Sequence, residues 1–308
     1  MSTAILRRLL AGSALYALGG VATRLIAVLL LPVFTAYMSP AEYGAAALLV
    51  TLSALLVPLF SLGLAGSIGI SYFNTPGAQP RHAVMWSAGW LLLASAALLA
   101  AVGWVAREPL STLALGSPEI ALPTALGFAL AAASVLALPW QLKLQFEERP
   151  AAFIAASLAG VVVTVGVSLW LVVVARLGAV GVLTGALAGQ AVGALAAFAL
   201  AAGVPVTRDL GPAARGLLRN GLPLVPSFFL VFVLQQGVRW ELQWTHGLDA
   251  LGVYSVGASL GGAMGVLTAA FGSAWTPFAL GHAERQGAAS EVLGRVTLYY
   301  VALFGFVT

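Results

Sequence analysis

The chain has 308 residues, of which 61% are apolar and only 8% are charged, and its mean hydropathy is +1.00. Soluble domains average about 45–50% apolar and about 25% charged residues, so this composition excludes a soluble globular protein. The net charge of +4 comes from basic residues in short loops, none of them in a run, so nucleic acid is not an expected partner. There is no cysteine, which excludes a disulfide, a thiolate nucleophile and a cysteine-ligated metal.

Nine apolar segments follow one another along the chain. They are Leu9–Ala36, Ala41–Ile70, Ala83–Ala106, Ile120–Trp140, Ala151–Ala175, Gly178–Ala202, Leu217–Trp244, Ala250–Leu280 and Val292–Thr308. Each is close to or above the roughly 17–25 residues that a helix needs to cross the hydrocarbon core of a bilayer. We therefore predict an all-α polytopic membrane protein with about nine transmembrane helices.

The two ends of the chain allow other interpretations. Arg7 and Arg8 before the first segment also fit the start of a secretory signal peptide. The apolar run continues to Ala36, however, whereas a signal peptide has only about 7–15 apolar residues, so a first transmembrane helix is favoured. The last segment ends at Thr308 without a polar flank, and we expect the chain to be the front part of a longer protein.

The orientation follows from the basic residues, which concentrate on the cytoplasmic side of membrane proteins. If the N-terminus is cytoplasmic and each segment crosses once, the inner side collects Arg7, Arg8, Arg81, Lys143, Arg149, Arg208, Arg215, Arg219, Arg285 and Arg295. The outer side collects only Arg107 and Arg176. This asymmetry predicts a cytoplasmic N-terminus.

The two remaining basic residues, Arg24 and Arg239, lie inside apolar segments. A guanidinium near the bilayer centre costs about 2.5–3.5 kcal/mol on insertion scales, so it usually faces a bundle interior or a watery cavity. Two such residues predict a path for an anion. Arg24 also fits a purely structural role between helices, and Arg239, which is nearer the outer end of its segment, also fits snorkelling to the interface.

Polar residues share a helix face with each arginine, because positions three or four apart lie on one side of a helix. In the seventh segment these are Gln235, Arg239, Gln243 and His246, and in the first they are Tyr16, Thr23 and Arg24. A sugar phosphate needs cations for its phosphates and amides or hydroxyls for its sugars. The predicted substrate-binding residues are therefore Arg24, Arg239, Gln235, Gln243, Tyr16 and Thr23, although the two glutamines also fit interhelical hydrogen bonds.

A weak internal repeat links the first helix pair to the seventh and eighth segments. Gly12 precedes Arg24 and Glu42-Tyr43-Gly44 in one copy, and Gly221 precedes Arg239 and Leu251–Ser255 in the other. The arginines fall in register only if a gap is allowed. Both copies enter the membrane from the same side after six helices, which is the parallel type of transporter repeat.

These stretches carry a family resemblance. Leu15–Leu49 (LYALGGVATRLIAVLLLPVFTAYMSPAEYGAAALL), Gly221–Phe229 and Leu251–Leu280 resemble the polysaccharide-transporter, or Wzx-type O-antigen flippase, branch of the multidrug/oligosaccharidyl-lipid/polysaccharide exporter superfamily. Many relatives place an acidic residue before the arginine of the seventh helix, whereas Val238 stands there in this chain.

The resemblance implies a MATE/MurJ-like architecture with a complete six-helix lobe at 1–205 and part of a second lobe at 206–308. It implies a flippase in the bacterial inner membrane that moves an undecaprenyl-diphosphate-linked oligosaccharide from the cytoplasmic to the outer leaflet by alternating access. The expected partners are this substrate and the bilayer, with polysaccharide polymerase and chain-length proteins as further candidates.

Two other functions are weighed against this one. A multidrug cation exporter of the same superfamily would be expected to bury carboxylates, whereas every Asp and Glu lies in a loop or near a helix end. A membrane polysaccharide polymerase or ligase would need a large outer loop with catalytic residues. The only lysine, Lys143, lies between leucines and fits no nucleotide-binding loop. No enzyme site and no cofactor are expected.

Overall fold

The computed structural model describes residues 30–75, 77–147, 149–201 and 211–283, with side chains except at 78–80, 114–115 and 262–283. These residues form helices and turns, and no strand occurs among them. The contacts divide the chain into two units, and all features described in detail below lie within Val33–Ser255. The predicted Arg24, Tyr16 and Thr23 lie outside the described residues.

The helices have the following bounds. They are α1 (Pro40–Phe60), α2 (Leu64–Asn74), α3 (Ala78–Val105), α4 (Arg107–Leu115), α5 (Ala121–Phe146), α6 (Pro150–Leu169), α7 (Gly178–Ala201), α8 (Gly211–Gly221) and α9 (Val225–Ala283). Short turns of other helix types cover Pro118–Ile120, Trp170–Val174 and Leu222–Leu224. Within α9, Gly247 has non-helical dihedral angles and separates the predicted seventh and eighth segments.

Six described stretches are long and apolar enough to cross a membrane. They are Pro40–Phe60, Arg81–Val105, Pro118–Phe146, Pro150–Val174, Gly178–Ala201 and Gly211–Gly261, the last with 51 residues. At a rise of 1.5 Å per residue, the last stretch has length for two crossings of about 30 Å. The prediction of an all-α polytopic membrane protein is confirmed.

Helix α1 begins with a complete capping box. Ser39 Oγ accepts the Glu42 backbone N–H (3.2 Å), and Glu42 Oε2 accepts the Ser39 backbone N–H (2.8 Å). The Glu42 carboxylate also lies against Gly178, the first residue of α7, where a Cβ would overlap it. A carboxylate at a helix N-terminus is favoured by the helix dipole. Glu42 therefore joins the start of α1 to the start of α7.

Helices α6 and α7 pack along a seam of small residues. Gly181, Gly185, Gly189 and Gly193 recur every four residues on α7. A Cβ at Gly185 would overlap the Ser168 hydroxyl, and one at Gly189 would overlap the Thr164 hydroxyl. Small residues at this spacing let membrane helices approach closely and gain dispersion contacts.

The second predicted segment, Ala41–Ile70, is not one helix as we expected. It ends at Phe60 and resumes at Leu64, and Leu62 and Gly63 between them have φ of 55° and 67°. Glycine adopts this left-handed conformation without steric cost. The predicted seventh segment, Leu217–Trp244, is likewise interrupted between α8 and α9, at Leu222–Leu224, where Pro223 lacks a backbone donor.

The two interruptions meet. A Cβ at Gly63 would overlap the Gly221 carbonyl oxygen, and a Cβ at Gly221 would lie 2.5 Å from the Leu62 carbonyl oxygen. We call this contact the inner crossing, because the loop charges predict that its end of the bundle is cytoplasmic. Both partners are backbone atoms, which cannot rotate away as a side chain could.

A second glycine contact, the outer crossing, joins the start of α1 to the stretch after Gly247. A Cβ at Gly44 would overlap the Leu248 carbonyl oxygen, and a Cβ at Gly252 would overlap the Pro40 carbonyl oxygen. If Pro40 is matched to Leu248 and Gly44 to Gly252, the Gly44–Leu248 contact becomes the Gly252–Pro40 contact. The two contacts are therefore equivalent, as in a two-fold interface.

The basic residues separate by bundle end. Near α2 and the inner crossing lie Arg81, Lys143, Arg149, Arg215 and Arg219, and near the outer crossing lie Arg107 and Arg176. Arg176 stacks on Tyr37 (4.5 Å from the ring centroid), and Arg107 stacks on Trp104 (4.8 Å). The two groups lie at different ends of the described helices, and which end is cytoplasmic stays a prediction.

Two cations at the α2 end bond the last two described carbonyls of α7, and we call these contacts the cap on α7. Lys143 Nζ donates to the Ala201 carbonyl (2.9 Å) and pairs with Glu147 (3.0 Å), and Arg149 donates to the Leu200 carbonyl (2.8 Å). The helix dipole favours cations toward the C-terminal part of a helix. Lys143 is only 4% exposed, so its bond to the Ala201 carbonyl is a buried link between α5 and α7.

Tyr72 lies in the same region, stacked beneath Arg81 (5.1 Å from the ring centroid) and beside Phe146. Burial raises the pKa of the Tyr72 phenol, and the Glu147 carboxylate raises it further, while Arg81 acts in the opposite direction. The phenol therefore stays protonated at neutral pH. Tyr72 contributes packing and a neutral hydroxyl to this end of the bundle.

Replacement of Gly221 by alanine tests the inner crossing. We expect Gly221→Ala to destabilise the protein by about 1–3 kcal/mol, because the new methyl group meets backbone atoms of Leu62 and Gly63. The measurement is the melting temperature of purified protein in detergent. Gly216→Ala, on the same helix with open space around the new Cβ, is the control and should be neutral or stabilising. Equal melting temperatures for both variants would contradict the close approach.

Replacement of Lys143 tests the cap on α7. Lys143→Met removes a buried donor from the Ala201 carbonyl and leaves Glu147 with a weaker partner, so we expect a loss of about 1–3 kcal/mol in thermal stability. Arg149→Gln should cost less, because Arg149 is exposed and lies 3.7 Å from Glu147. The double variant Lys143→Met/Glu147→Gln should recover part of the loss. A Lys143→Met protein as stable as the wild type would exclude a role for this cap.

Candidate functional site

The site is centred on Arg239, in the first half of α9. Its Nη1 donates a hydrogen bond to Thr51 Oγ1 on α1 (3.0 Å), and Thr51 Oγ1 donates in turn to the Ala47 carbonyl (2.8 Å). Thr51 is 5% exposed, whereas Arg239 is half-buried. The threonine therefore fixes one edge of a guanidinium that is only half-buried.

The depth of this bond follows from the bounds of α1. Thr51 lies 11 residues after Pro40 and 9 before Phe60, so it is roughly 14–17 Å from either end of the helix. The guanidinium is thus held near the middle of an apolar span.

A buried apolar cluster contacts the residue that follows Arg239. Leu48 and Leu49 of α1, Leu183 of α7 and Leu251 form this cluster, and Trp240 packs against it. Apolar surroundings solvate a nearby charge poorly, which strengthens its attraction for an anion. Trp244 follows one turn after Trp240, is 71% exposed, and has its ring 6.4 Å from that of Trp240.

The polar stripe predicted along α9 is only partly brought together. Gln243 is buried at 8% exposure and lies on the same helix face as Arg239, one turn away. Gln235, one turn away in the other direction, is exposed. His246 is also exposed, and its Nδ1 is 2.7 Å from Thr245 Oγ1. The stripe therefore runs from an exposed amide, through a half-buried cation, to a buried amide.

No carboxylate neutralises Arg239 among the residues that the structure describes. Both ion pairs found in those ranges involve Glu147, at the α2 end. Glu241 is two residues beyond Arg239, which places it on another face of the helix, and it is exposed. The same ranges also hold no group of three or more His, Asp or Glu residues that could bind a metal ion. A positive charge with spare donors remains, which suits an anionic ligand.

Thr51 is a site residue that the sequence did not indicate. A hydroxyl within an apolar helix commonly bonds the carbonyl four residues earlier, and Thr51 does so. Its second bond, to a residue 188 positions later, depends on the tertiary arrangement. The only sequence signal was the pair of polar residues Thr51 and Ser53 inside α1, and Ser53 bonds the Gly127 carbonyl of α5 (2.7 Å).

Comparison with known proteins identifies the family. A family model described as "Polysaccharide biosynthesis protein" matches residues 9–279, which is most of the chain. The chain therefore belongs to the polysaccharide biosynthesis protein family, as the resemblance implied. No curated protein and no solved structure matches it.

Proposed function

We propose that this member of the polysaccharide biosynthesis protein family is a transporter that flips an undecaprenyl-diphosphate-linked oligosaccharide across the membrane. The observation that carries the proposal is the guanidinium of Arg239, which Thr51 holds beside the middle of helix α1 with no carboxylate beside it among the described residues. The diphosphate of the lipid would bind Arg239, the sugars would lie along the neighbouring amides of α9, and the polyprenyl chain would stay in the bilayer.

The sign of the charge favours an anionic cargo over a drug cation. A cation exporter would need acidic residues within the membrane, since only they attract a cation there. Of the described acidic residues, Glu42 caps α1, Glu147 pairs with Lys143, and the others are exposed. None of these lies beside Arg239 at the centre of the span.

Other predicted residues complete the proposed site. Gln243 and Gln235 are amides on either side of Arg239 along α9, and such groups suit the hydroxyls of a glycan. Arg24, with Tyr16 and Thr23, would add a second cation and two hydroxyls from the first segment. The division into a six-helix lobe at 1–205 and a partial second lobe at 206–308 remains a prediction.

The two glycine crossings support alternating access. The Arg239–Thr51 bond lies between the inner crossing, at Gly63 and Gly221, and the outer crossing, at Gly44 and Gly252. Each crossing brings backbones together without side chains between them. We propose that the bundle opens at one crossing while the other stays closed, so that Arg239 is accessible from one side of the membrane at a time.

The charge distribution supports the orientation. Among the described residues, five basic side chains lie at the α2 end and two at the other end. Because basic residues concentrate on the cytoplasmic side, this favours a cytoplasmic α2 end and a cytoplasmic N-terminus. Transport would then run from the cytoplasmic leaflet of a bacterial inner membrane outward. A polymerase and a chain-length protein acting on the outer side are the partners that this direction suggests.

Removal of the charge at Arg239 is the direct test. We expect Arg239→Ala to lower surface glycan about 10–100-fold at unchanged protein level, because a hydrogen bond to a charged group contributes about 1.5–3 kcal/mol. Arg239→Lys should retain part of the export, since a point charge still binds phosphate. The measurement is surface glycan in a deletion strain that carries each variant, with the lipid-linked intermediate quantified on the inner leaflet.

Arg107→Ala is the matched control, because it removes an arginine that stacks on Trp104 away from the site. Its export should equal that of the wild type. Arg24→Ala belongs in the same series, and we expect it to abolish surface glycan. Full export by both Arg239→Ala and Arg24→Ala would overturn the proposed function.

Variants of Thr51 test whether export depends on the position of the Arg239 side chain and not only on its charge. Thr51→Val keeps the shape of the side chain but removes the acceptor for Arg239, so we expect export to fall several-fold at unchanged protein level. Thr51→Ser keeps the hydroxyl and should restore most of the activity. If Thr51→Val and Thr51→Ser behave alike, the hydrogen bond has no part in transport.

A further inference from the structure

Helix α8 carries a basic groove that the transport site does not use. Arg215 and Arg219 are one turn apart and both exposed. Leu218 and Leu222 lie on the same face, because positions i, i+3, i+4 and i+7 of a helix are neighbours. Together with Pro223 these residues line an open cavity of about 570 Å³. The groove thus combines two cations with apolar side chains.

The opposite face of α8 anchors the groove to the bundle. Leu217 is completely buried and packs in the main core with Leu64 and Ile68 of α2 and with Leu92 of α3. At its C-terminus, α8 ends at Gly221 in the inner crossing. Both contacts fix the rotation of the helix, so the arginines must point away from the core.

The two arginines keep their charge available. Lys143 and Arg149 at the same end share Glu147, but neither described ion pair reaches Arg215 or Arg219. Two guanidiniums one turn apart also repel each other weakly, which an anion between them would relieve. The two positive charges of the groove therefore favour a negatively charged ligand.

We propose that this groove binds the phosphate headgroup of an anionic phospholipid from the leaflet at the α2 end. Arg215 and Arg219 hold the phosphate, and an acyl chain lies along Leu218, Leu222 and Pro223. A free phosphate ion would gain nothing from that apolar stripe. The groove also lies next to the bilayer, because α8 leads through three residues into the membrane-spanning α9.

The bound lipid would act on the inner crossing. Gly221 is the last residue of α8, so a lipid that holds α8 also holds one partner of the Gly63 contact. This role does not depend on which cargo the protein carries. The anionic lipid content of the leaflet would then affect how closely Gly221 and Gly63 approach each other.

The test is lipid retention by the purified protein in native mass spectrometry. Phosphatidylglycerol is titrated against phosphatidylcholine, which carries no net charge. Each basic residue near a membrane surface contributes about 1 kcal/mol of attraction, so Arg215→Gln or Arg219→Gln should weaken phosphatidylglycerol binding about fivefold, and the double variant roughly 25-fold. Arg107→Gln removes the same charge from the other end and should leave binding unchanged.

Three further outcomes decide the proposal. Arg215→Lys/Arg219→Lys should retain most binding, because the phosphate still meets two cations. Undiminished phosphatidylglycerol binding by the double Gln variant would overturn the proposal, as would inorganic phosphate or undecaprenyl diphosphate binding in the groove in preference to phosphatidylglycerol. Because the readout needs no glycan export, its failure is distinct from failure of the transport function.

Discussion

The hydrogen bond between Arg239 and Thr51 is the interaction around which the described bundle is arranged. A guanidinium at mid-depth is tolerated only where protein groups or water replace its lost hydration. Helix α1 provides this replacement, and it is positioned to do so by glycine contacts at both of its ends. The inner crossing fixes α1 against the end of α8, and the outer crossing fixes it against the residues after Gly247. The stretch 221–252 therefore contacts α1 and the turn after it at three points. Two of these are backbone contacts at the crossings, and the third is the Arg239–Thr51 hydrogen bond.

The remaining helices form a scaffold of a different kind. Helices α5, α6 and α7 are joined by the glycine seam and by Lys143 and Arg149, which bond the carbonyls of Ala201 and Leu200 on α7. Close packing along the whole length of a helix leaves little room for sliding. The crossings of α1, in contrast, are single points of contact with interrupted helices on both sides. A rigid support beside a pair of broken helices is an arrangement in which movement can be confined to the site.

Much of this arrangement could be predicted from the sequence. The segments Ala83–Ala106 and Gly178–Ala202 match α3 and α7 within a few residues, because long apolar runs between Pro, Gly and charged residues specify membrane helices strongly. The break at Leu62 and Gly63 was missed, since Ser61-Leu62-Gly63 is not unusual in an apolar run and its conformation depends on contact with Gly221. The partner of Arg239 was missed for the same reason. Contacts between residues more than a hundred positions apart leave no local signal. The predicted cavity residues of the first segment stay predictions.

In the proposed cycle, a guanidinium with no carboxylate beside it among the described residues has an electrical consequence. Moving one elementary charge across a potential of 100 mV involves about 2.3 kcal/mol. Arg239 stays between the two crossings, whereas the negative charges of the diphosphate move outward. An inside-negative voltage favours this outward movement of the anion. The guanidinium would offset part of the anion's charge within the membrane, and the membrane potential itself would supply part of the driving force.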